Sequence, residues 1–225
     1  MKVFLFDIEG TTTDIHFVHK VLFPYAKERM KEFILENREQ PKVKAAIEEV
    51  KKTVKTEDHI NLTDYEVVNR LEQWIEQDRK HGALKEIQGL IWEQGYQQKH
   101  FEGHLYPDVK PFFEQILKAK AKIGIYSSGS VQAQKLIFSH SNAGDLTPMI
   151  SYYFDTKVGA KREPNSYQNI AKELKASPQD ITFFSDIPQE LEAASAAQMK
   201  VCHVVREGTA PSSFPAIKDF SQAQM

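Results

Sequence analysis

Val3-Phe4-Leu5-Phe6-Asp7-Ile8-Glu9-Gly10-Thr11-Thr12-Thr13 joins an apolar run to two closely spaced acids and a run of threonines. The four apolar residues have the length and composition of a strand buried on both faces. Alternation in an extended chain sends Asp7 and Glu9 the same way, past the strand's C-terminal edge. Ligands of open parallel sheets bind at that edge. Gly10 permits a sharp turn, and three threonines offer hydroxyls and amides able to hold a phosphate or orient the carboxylates. Taken alone, the segment also reads as a strand followed by an acidic turn.

The pattern after Asp14 is helical for about ninety residues, judged by periodicity. Phe33 and Leu35 end one amphipathic segment, and Ala45, Ala46, Ile47 and Val50 mark a second. Thr63-Asp64-Tyr65-Glu66 resembles a capping box opening a third helix, with Val67, Val68, Leu71, Trp74 and Ile75 at helical spacing. Leu84, Ile87, Ile91 and Trp92 mark a fourth. The aromatic residues here fit a small bundle core better than a substrate pocket, because their spacing is what such a core requires.

From Leu105 a β/α rhythm returns. Helices are expected at 111–119, 130–140, 166–174 and 188–198, and strands at 122–126, 152–154, 181–184 and 201–205. Alternation of this kind predicts an α/β fold: a Rossmann-like parallel sheet with helices on both faces, plus an inserted all-helical cap domain. The core is expected over 1–14 and 105–225, with the cap, 15–104, above the strand ends as a lid. The tail from Glu207, with Gly208, Pro211 and Pro215, reads as irregular.

A chain of 225 residues buries a substantial core. Acidic and basic groups nearly balance at a net charge of -2, which argues against a nucleic-acid partner. Lys42 to Lys55 is interleaved with Glu48 and Glu49 and reads as a solvated helix face. No apolar run has membrane-spanning length, and the N-terminus lacks the pattern of a signal peptide, so a soluble cytoplasmic protein is expected. Cys202 is the single cysteine, which excludes an internal disulfide; its apolar surroundings predict a buried, inert thiol.

Three later strand ends carry polar groups suited to phosphoryl transfer. Tyr126-Ser127-Ser128-Gly129-Ser130 joins a strand to a helix, where hydroxyls and unpaired amides form an anion site or a serine-rich N-cap. Lys161 follows a strand and precedes a helix, where a lysine can neutralise phosphate or simply be solvated. Phe184-Ser185-Asp186-Ile187-Pro188 ends an apolar strand in an acid that can ligate Mg²⁺ or cap the next helix.

This order of acid pair, hydroxyl, lysine and acid resembles the haloacid dehalogenase-like phosphatases over residues 1–14 and 105–206. The resemblance narrows on Asp7-Ile8-Glu9-Gly10-Thr11-Thr12, Leu22-Phe23-Pro24-Tyr25, Leu105-Tyr106-Pro107-Asp108-Val109, Tyr126-Ser127-Ser128-Gly129-Ser130-Val131 and Phe154-Asp155-Thr156-Lys157. Together these look like the enolase-phosphatases (acireductone synthases) of methionine salvage. Glu9 departs from the aspartate of most phosphatases in the superfamily, and the enolase-phosphatases share that departure. Asp186 has no acid beside it; Glu190 stands where another aspartate is expected and is left out of the metal set.

The resemblance implies that Asp7 attacks phosphorus to form an aspartyl-phosphate, with one Mg²⁺ per chain held by Asp7, Asp186 and the backbone carbonyl of Glu9. Glu9 would protonate the leaving oxygen and then activate water. Ser127 and Lys161 would hold the phosphoryl oxygens and Ser128 would touch substrate, with the charge of Lys161 mattering more than its shape. The implied substrate is 2,3-diketo-5-methylthiopentyl 1-phosphate, enolised and then dephosphorylated to an acireductone. Glu9 and a cap residue are both candidates for removing the carbon-bound proton. The family also implies a monomer.

Other readings are a generic small-molecule phosphatase, a phosphomutase and a non-catalytic phosphoaspartate signalling domain. The large insertion and the Asp7/Glu9 pair argue against the last. His100 and His104 have the spacing of a helical metal pair but lack a clear third ligand, and His16 and His19 fare no better. No nucleophile elbow surrounds Ser128 and no P-loop occurs.

Overall fold

Strand β1, Val3–Phe6, is buried along its whole length, as its unbroken apolar run predicts. In the computed structural model, which describes residues 1–77, 79–206 and 212–224, it lies inside a six-stranded sheet of order β3-β2-β1-β4-β5-β6. The other strands are β2 Lys122–Tyr126, β3 Tyr152–Phe154, β4 Ile181–Ser185, β5 Lys200–Val204 and β6 Ala216–Ile217. Every pairing is parallel, and Phe6 is registered with Ile125 on one side and Phe184 on the other. Asp7, Ser127 and Asp186 thus follow the ends of three adjacent strands.

Helices cover both faces, as the β/α rhythm predicts. Val3 and Leu5 point into a core with Tyr167, Ile170 and Leu174 of α8 (Pro164–Leu174) and Leu191 and Ala194 of α9 (Pro188–Ala196). Phe4 and Phe6, on the opposite face, meet Phe112 and Phe113 of α6 (Val109–Lys118). Phe6 stacks on Phe184 at 4.9 Å, and Phe113 touches Phe138 of α7 (Val131–Ser139). Burying each such ring stabilises the fold by roughly 1.5–3 kcal/mol before entropy is counted.

The tail departs from the expectation of irregular structure. Ala216–Ile217 adds the edge strand β6 beside β5, and Phe220 of a short 3-10 turn packs on Phe112 at 5.2 Å. Pro215 remains on the strand's threshold, where its carbonyl accepts from His203 N–H. Glu207, Gly208 and Pro211 lie outside the described residues. Cys202 is half-buried rather than buried, and what burial it has pushes its thiol up to about 11.

The chain divides into two compact units, Met1–Phe17 with Glu102–Met225, and Val18–Phe101. The sequence places these boundaries after 14 and before 105. The difference arises because residues at the second junction bond to the first unit: Gly103 N–H donates to His140 O, and His104 Nδ1 accepts from Asp14 N–H. Short α1, Ile15–Phe17, stays with the first unit, while a π turn, Val18–Leu22, opens the second.

The second unit is all-helical: α2 Phe23–Asn37, α3 Pro41–Asp58, α4 Asp64–Glu76 and α5 Gly82–Gln97. The capping box is present at α4, where Thr63 Oγ1 accepts from Glu66 N–H and Glu66 Oε2 from Thr63 N–H. Helix α5 touches the other three. Trp74, Trp92 and Tyr96 are buried, the core role their spacing predicts. Trp92 Nε1 also donates to Leu22 O at 2.8 Å. Among the described residues no helix is long and apolar enough to cross a membrane.

Candidate active site

The ladder runs one residue past β1, because Asp7 N–H donates to Phe184 O at 2.9 Å. The chain then doubles back. Gly10 has φ +74°, and the amides of Thr11, Thr12 and Thr13 all point at Ile8 O at 2.9–3.2 Å. Thr12 Oγ1 donates to Asp7 O. The threonine hydroxyls therefore build the loop: Thr13 Oγ1 bonds the carbonyl of His104, and Thr11 reaches Asp186.

Asp186 is seated on this loop. Its N–H donates to Thr11 Oγ1 at 3.0 Å, and Thr11 Oγ1 lies 3.3 Å from its Oδ1. A Cβ at residue 10 would stand 2.2 Å from Asp186 Oδ2, so the close approach requires glycine as much as the turn does. Asp186 does not cap the next helix: Ile187 is the N-cap and makes no side-chain cap bond. Burial, and then the charge of Asp7, lift the Asp186 carboxyl to about 7. Behind it, fully buried His203 bridges Asp186 O at 3.2 Å and Ser212 Oγ at 2.8 Å. Since a carbonyl only accepts, Nε2 is the donor to Asp186 O.

Lys161 is 7% exposed, which removes the solvated-lysine reading. Its Nζ lies 2.6 Å from Asp7 Oδ1 and 2.7 Å from Glu190 Oε2. Burial works against its charge, and the two carboxylates outweigh burial and hold it protonated far above neutral pH. Glu190 also accepts from Ser185 Oγ at 2.9 Å. Burial and then Asp7 raise the Glu190 carboxyl.

Buried Asp7 and Glu190 thus share one ammonium, and the half-buried Asp186 adds a third carboxylate beside them. That surplus of negative charge, on hard oxygen donors, fits a divalent metal held by Asp7 and Asp186. Among the described residues no three His, Cys, Asp or Glu side chains form a ready cage. Two carboxylates completed by a main-chain carbonyl and water suit a small, reluctantly dehydrated cation.

The remaining expected residues lie on the neighbouring loops. Ser127, buried at the end of β2, accepts from Gly129 N–H on its Oγ at 3.1 Å and donates its own N–H to Phe154 O. Ser128 is exposed. Ser130 is the N-cap of α7 and accepts from Ala133 N–H, so this end of the motif is the cap that the serines also predict. Glu9 is half-buried and bridges to Thr13 through the backbone. His16 pairs with Asp14 and His100 with Tyr25 Oη, structural partners rather than metal ones.

Glu190, noticed in the sequence but left out of the metal set, belongs to this cluster through Lys161, and Arg206 was not legible there at all. Glu190 lies four residues beyond Asp186, on the first turn of α9, which returns its side chain toward the same strand end. Arg206 follows β5, donates to Thr11 O at 3.1 Å and to both oxygens of Asp108, and lies 4.1 Å over the Tyr106 ring. It ties the Gly10 loop to Asp108, whose carboxylate also accepts from Phe220 N–H.

Residues 1–198 match the model of the haloacid dehalogenase-like hydrolase family. The chain is 50% identical over 202 residues to Enolase-phosphatase E1 of Yersinia enterocolitica, covering 89% of this chain and 86% of the relative. It is 44% identical over the full length of both chains to Enolase-phosphatase E1 of Aquifex aeolicus. The crystal structure of UTR4 protein from Saccharomyces cerevisiae superposes with a TM-score of 0.83 at 30% identity, over 99% of each chain. An HAD phosphatase from Thermococcus onnurineus, 17% identical with a TM-score of 0.63 over 99% of this chain and 95% of its own, shares the fold. The chain belongs to the haloacid dehalogenase-like hydrolases and, within them, to the enolase-phosphatases.

Proposed function

We propose that this chain is a bifunctional enolase-phosphatase, an acireductone synthase of methionine salvage. It enolises 2,3-diketo-5-methylthiopentyl 1-phosphate and then releases phosphate and the acireductone. The observation that carries the reading to residues is the buried Lys161–Asp7 contact of 2.6 Å beside Asp186, at the strand edge where α/β enzymes work.

Asp7 is the nucleophile. Its carboxylate attacks phosphorus, the bond to the substrate oxygen breaks, and an aspartyl-phosphate forms. Glu9 gives its proton to the leaving oxygen, then takes one from the water that cleaves the acyl-phosphate. Ser127 and Lys161 hold phosphoryl oxygens, and Lys161 offsets the charge that gathers on them. Ser128, exposed on the same turn as Ser127, contacts substrate. Asp7, Asp186 and the Glu9 carbonyl would hold one Mg²⁺ per chain. When bound, Mg²⁺ supplies positive charge for the phosphoryl group and polarises a substrate carbonyl, so one site serves both reactions. The helical unit acts as the cap, and a monomeric, cytoplasmic enzyme completes the proposal, as the family implies.

Turnover of the diketo phosphate compared with simple sugar phosphates and phosphoglycolate tests this reading. Strong preference for the diketo compound, with enol formed before phosphate, is expected. Equal turnover of simple esters without enol would make the chain a generic phosphatase.

A further inference from the structure

The segment that carries Lys161 is held by its backbone in a way the catalytic reading leaves unexplained. Four successive carbonyls each accept from a different side chain. Asn169 Nδ2 donates to Val158 O at 3.1 Å and Tyr126 Oη to Gly159 O at 2.9 Å. Ser166 Oγ donates to Ala160 O and Tyr167 Oη to Lys161 O, both at 2.7 Å. Three of these donors come from α8 and one from β2. Tyr126, Ser166 and Tyr167 are buried.

Loops ordinarily satisfy their carbonyls with water or with their own turns. Here the chain adopts φ +138° at Gly159, where a Cβ would stand 2.1 Å from Ser166 Oγ, so the segment is pressed onto α8. The two tyrosines brace one another, with ring centroids 5.5 Å apart at 82°, and Tyr167 packs on Phe183 of β4 at 5.2 Å. The Tyr126 ring also lies 5.8 Å from Lys161 Nζ. The flexible four-carbon stem of a lysine thus starts from a main chain fixed against the sheet, and its head is fixed by Glu190.

We propose that Tyr167, with Tyr126, Ser166 and Asn169, forms a carbonyl clamp that presets Lys161 opposite Asp7, and that Tyr167 is a positioning residue for phosphoryl transfer. Preorganisation of a charge that acts mainly in the transition state raises kcat more than it changes substrate binding. The proposal rests on the reading of Lys161 as the residue that holds phosphoryl oxygens.

The test compares Tyr167→Phe, which deletes one hydroxyl, with Lys161→Met, using the full chain with Mg²⁺ and following phosphate release. Orthovanadate inhibition is measured in parallel. Tyr167→Phe is expected to lower kcat about tenfold and to weaken orthovanadate inhibition by a similar factor, with KM changed less than about twofold. Wild-type kcat and orthovanadate inhibition in Tyr167→Phe, with Lys161→Met inactive, would overturn the clamp and leave the reading of Lys161 standing. An active Lys161→Met would overturn that reading and the clamp with it. Should Tyr167→Phe fail to fold, Tyr126→Phe and the exposed Asn169→Ala are judged by the same split between kcat and KM.

Discussion

Lys161 and Asp7 form an ion pair of 2.6 Å in which both side chains are almost fully buried. Desolvating two charges is expensive, and the pair holds because Glu190 supplies a second contact to the same ammonium. The arrangement places a cation beside a carboxylate oxygen before any substrate arrives.

Lys161→Met should therefore damage stability as well as turnover. Removing one member of a buried pair costs about 3–5 kcal/mol, and denaturant unfolding would read that loss. Lys161→Arg is expected to recover little activity, because a planar guanidinium does not fit between oxygens that close on a point charge. Burial thus makes the shape of this residue matter along with its charge. Wild-type stability in Lys161→Met would contradict the buried pairing.

Gly10→Ala should be among the most damaging single-methyl changes in the chain. The new Cβ would meet Asp186 Oδ2 at 2.2 Å in a backbone region that alanine disfavours. A destabilisation of about 1–3 kcal/mol is expected from the strained backbone and the displaced side chain. A higher Mg²⁺ concentration for half-maximal activity should accompany it. Calorimetry and a metal titration check the two effects separately.

The metal-free protein should lose stability as pH rises from about 4 to 7. Asp186 and Glu190 both carry folded-state pKa values near 7, above their ordinary 3.8 and 4.5. The folded state therefore binds more protons than the unfolded chain in that window, and the stabilisation present below the ordinary values disappears through the raised ones. Glu190→Gln should flatten the slope, and saturating Mg²⁺ should flatten it further. Thermal melting across this range with EDTA or Mg²⁺ measures both, and a metal-free stability that climbs toward pH 7 would contradict the assignment.

The central strands β1 and β2 were legible because burial on both faces leaves an apolar run with polar residues at its end, and the short edge strand β3 also begins and ends where its aromatic run places it. Edge strand β6 was not, since two residues after Pro215 carry no periodicity and are recruited by pairing with β5. The order of the candidate site residues Asp7, Ser127, Lys161 and Asp186 was readable because each follows a strand of the same sheet. Glu190 was visible as an acid after Asp186 but its role was not, because an acid near a helix N-terminus also reads as a favourable dipole partner; its contact with Lys161 is a tertiary fact. The carbonyl clamp was equally hidden, because Tyr126, Ser166 and Tyr167 occupy core positions and only their hydroxyls reveal the second role.

The most direct test of the enolase-phosphatase reading is to follow enol absorbance and phosphate release together after mixing enzyme, Mg²⁺ and the diketo phosphate, for wild type and for Asp7→Asn. Wild type should show enol first and phosphate after it, whereas Asp7→Asn should release no phosphate and still build the enol signal. Phosphate release by Asp7→Asn at the wild-type rate, or phosphate released by wild type with no enol at any time, would contradict it.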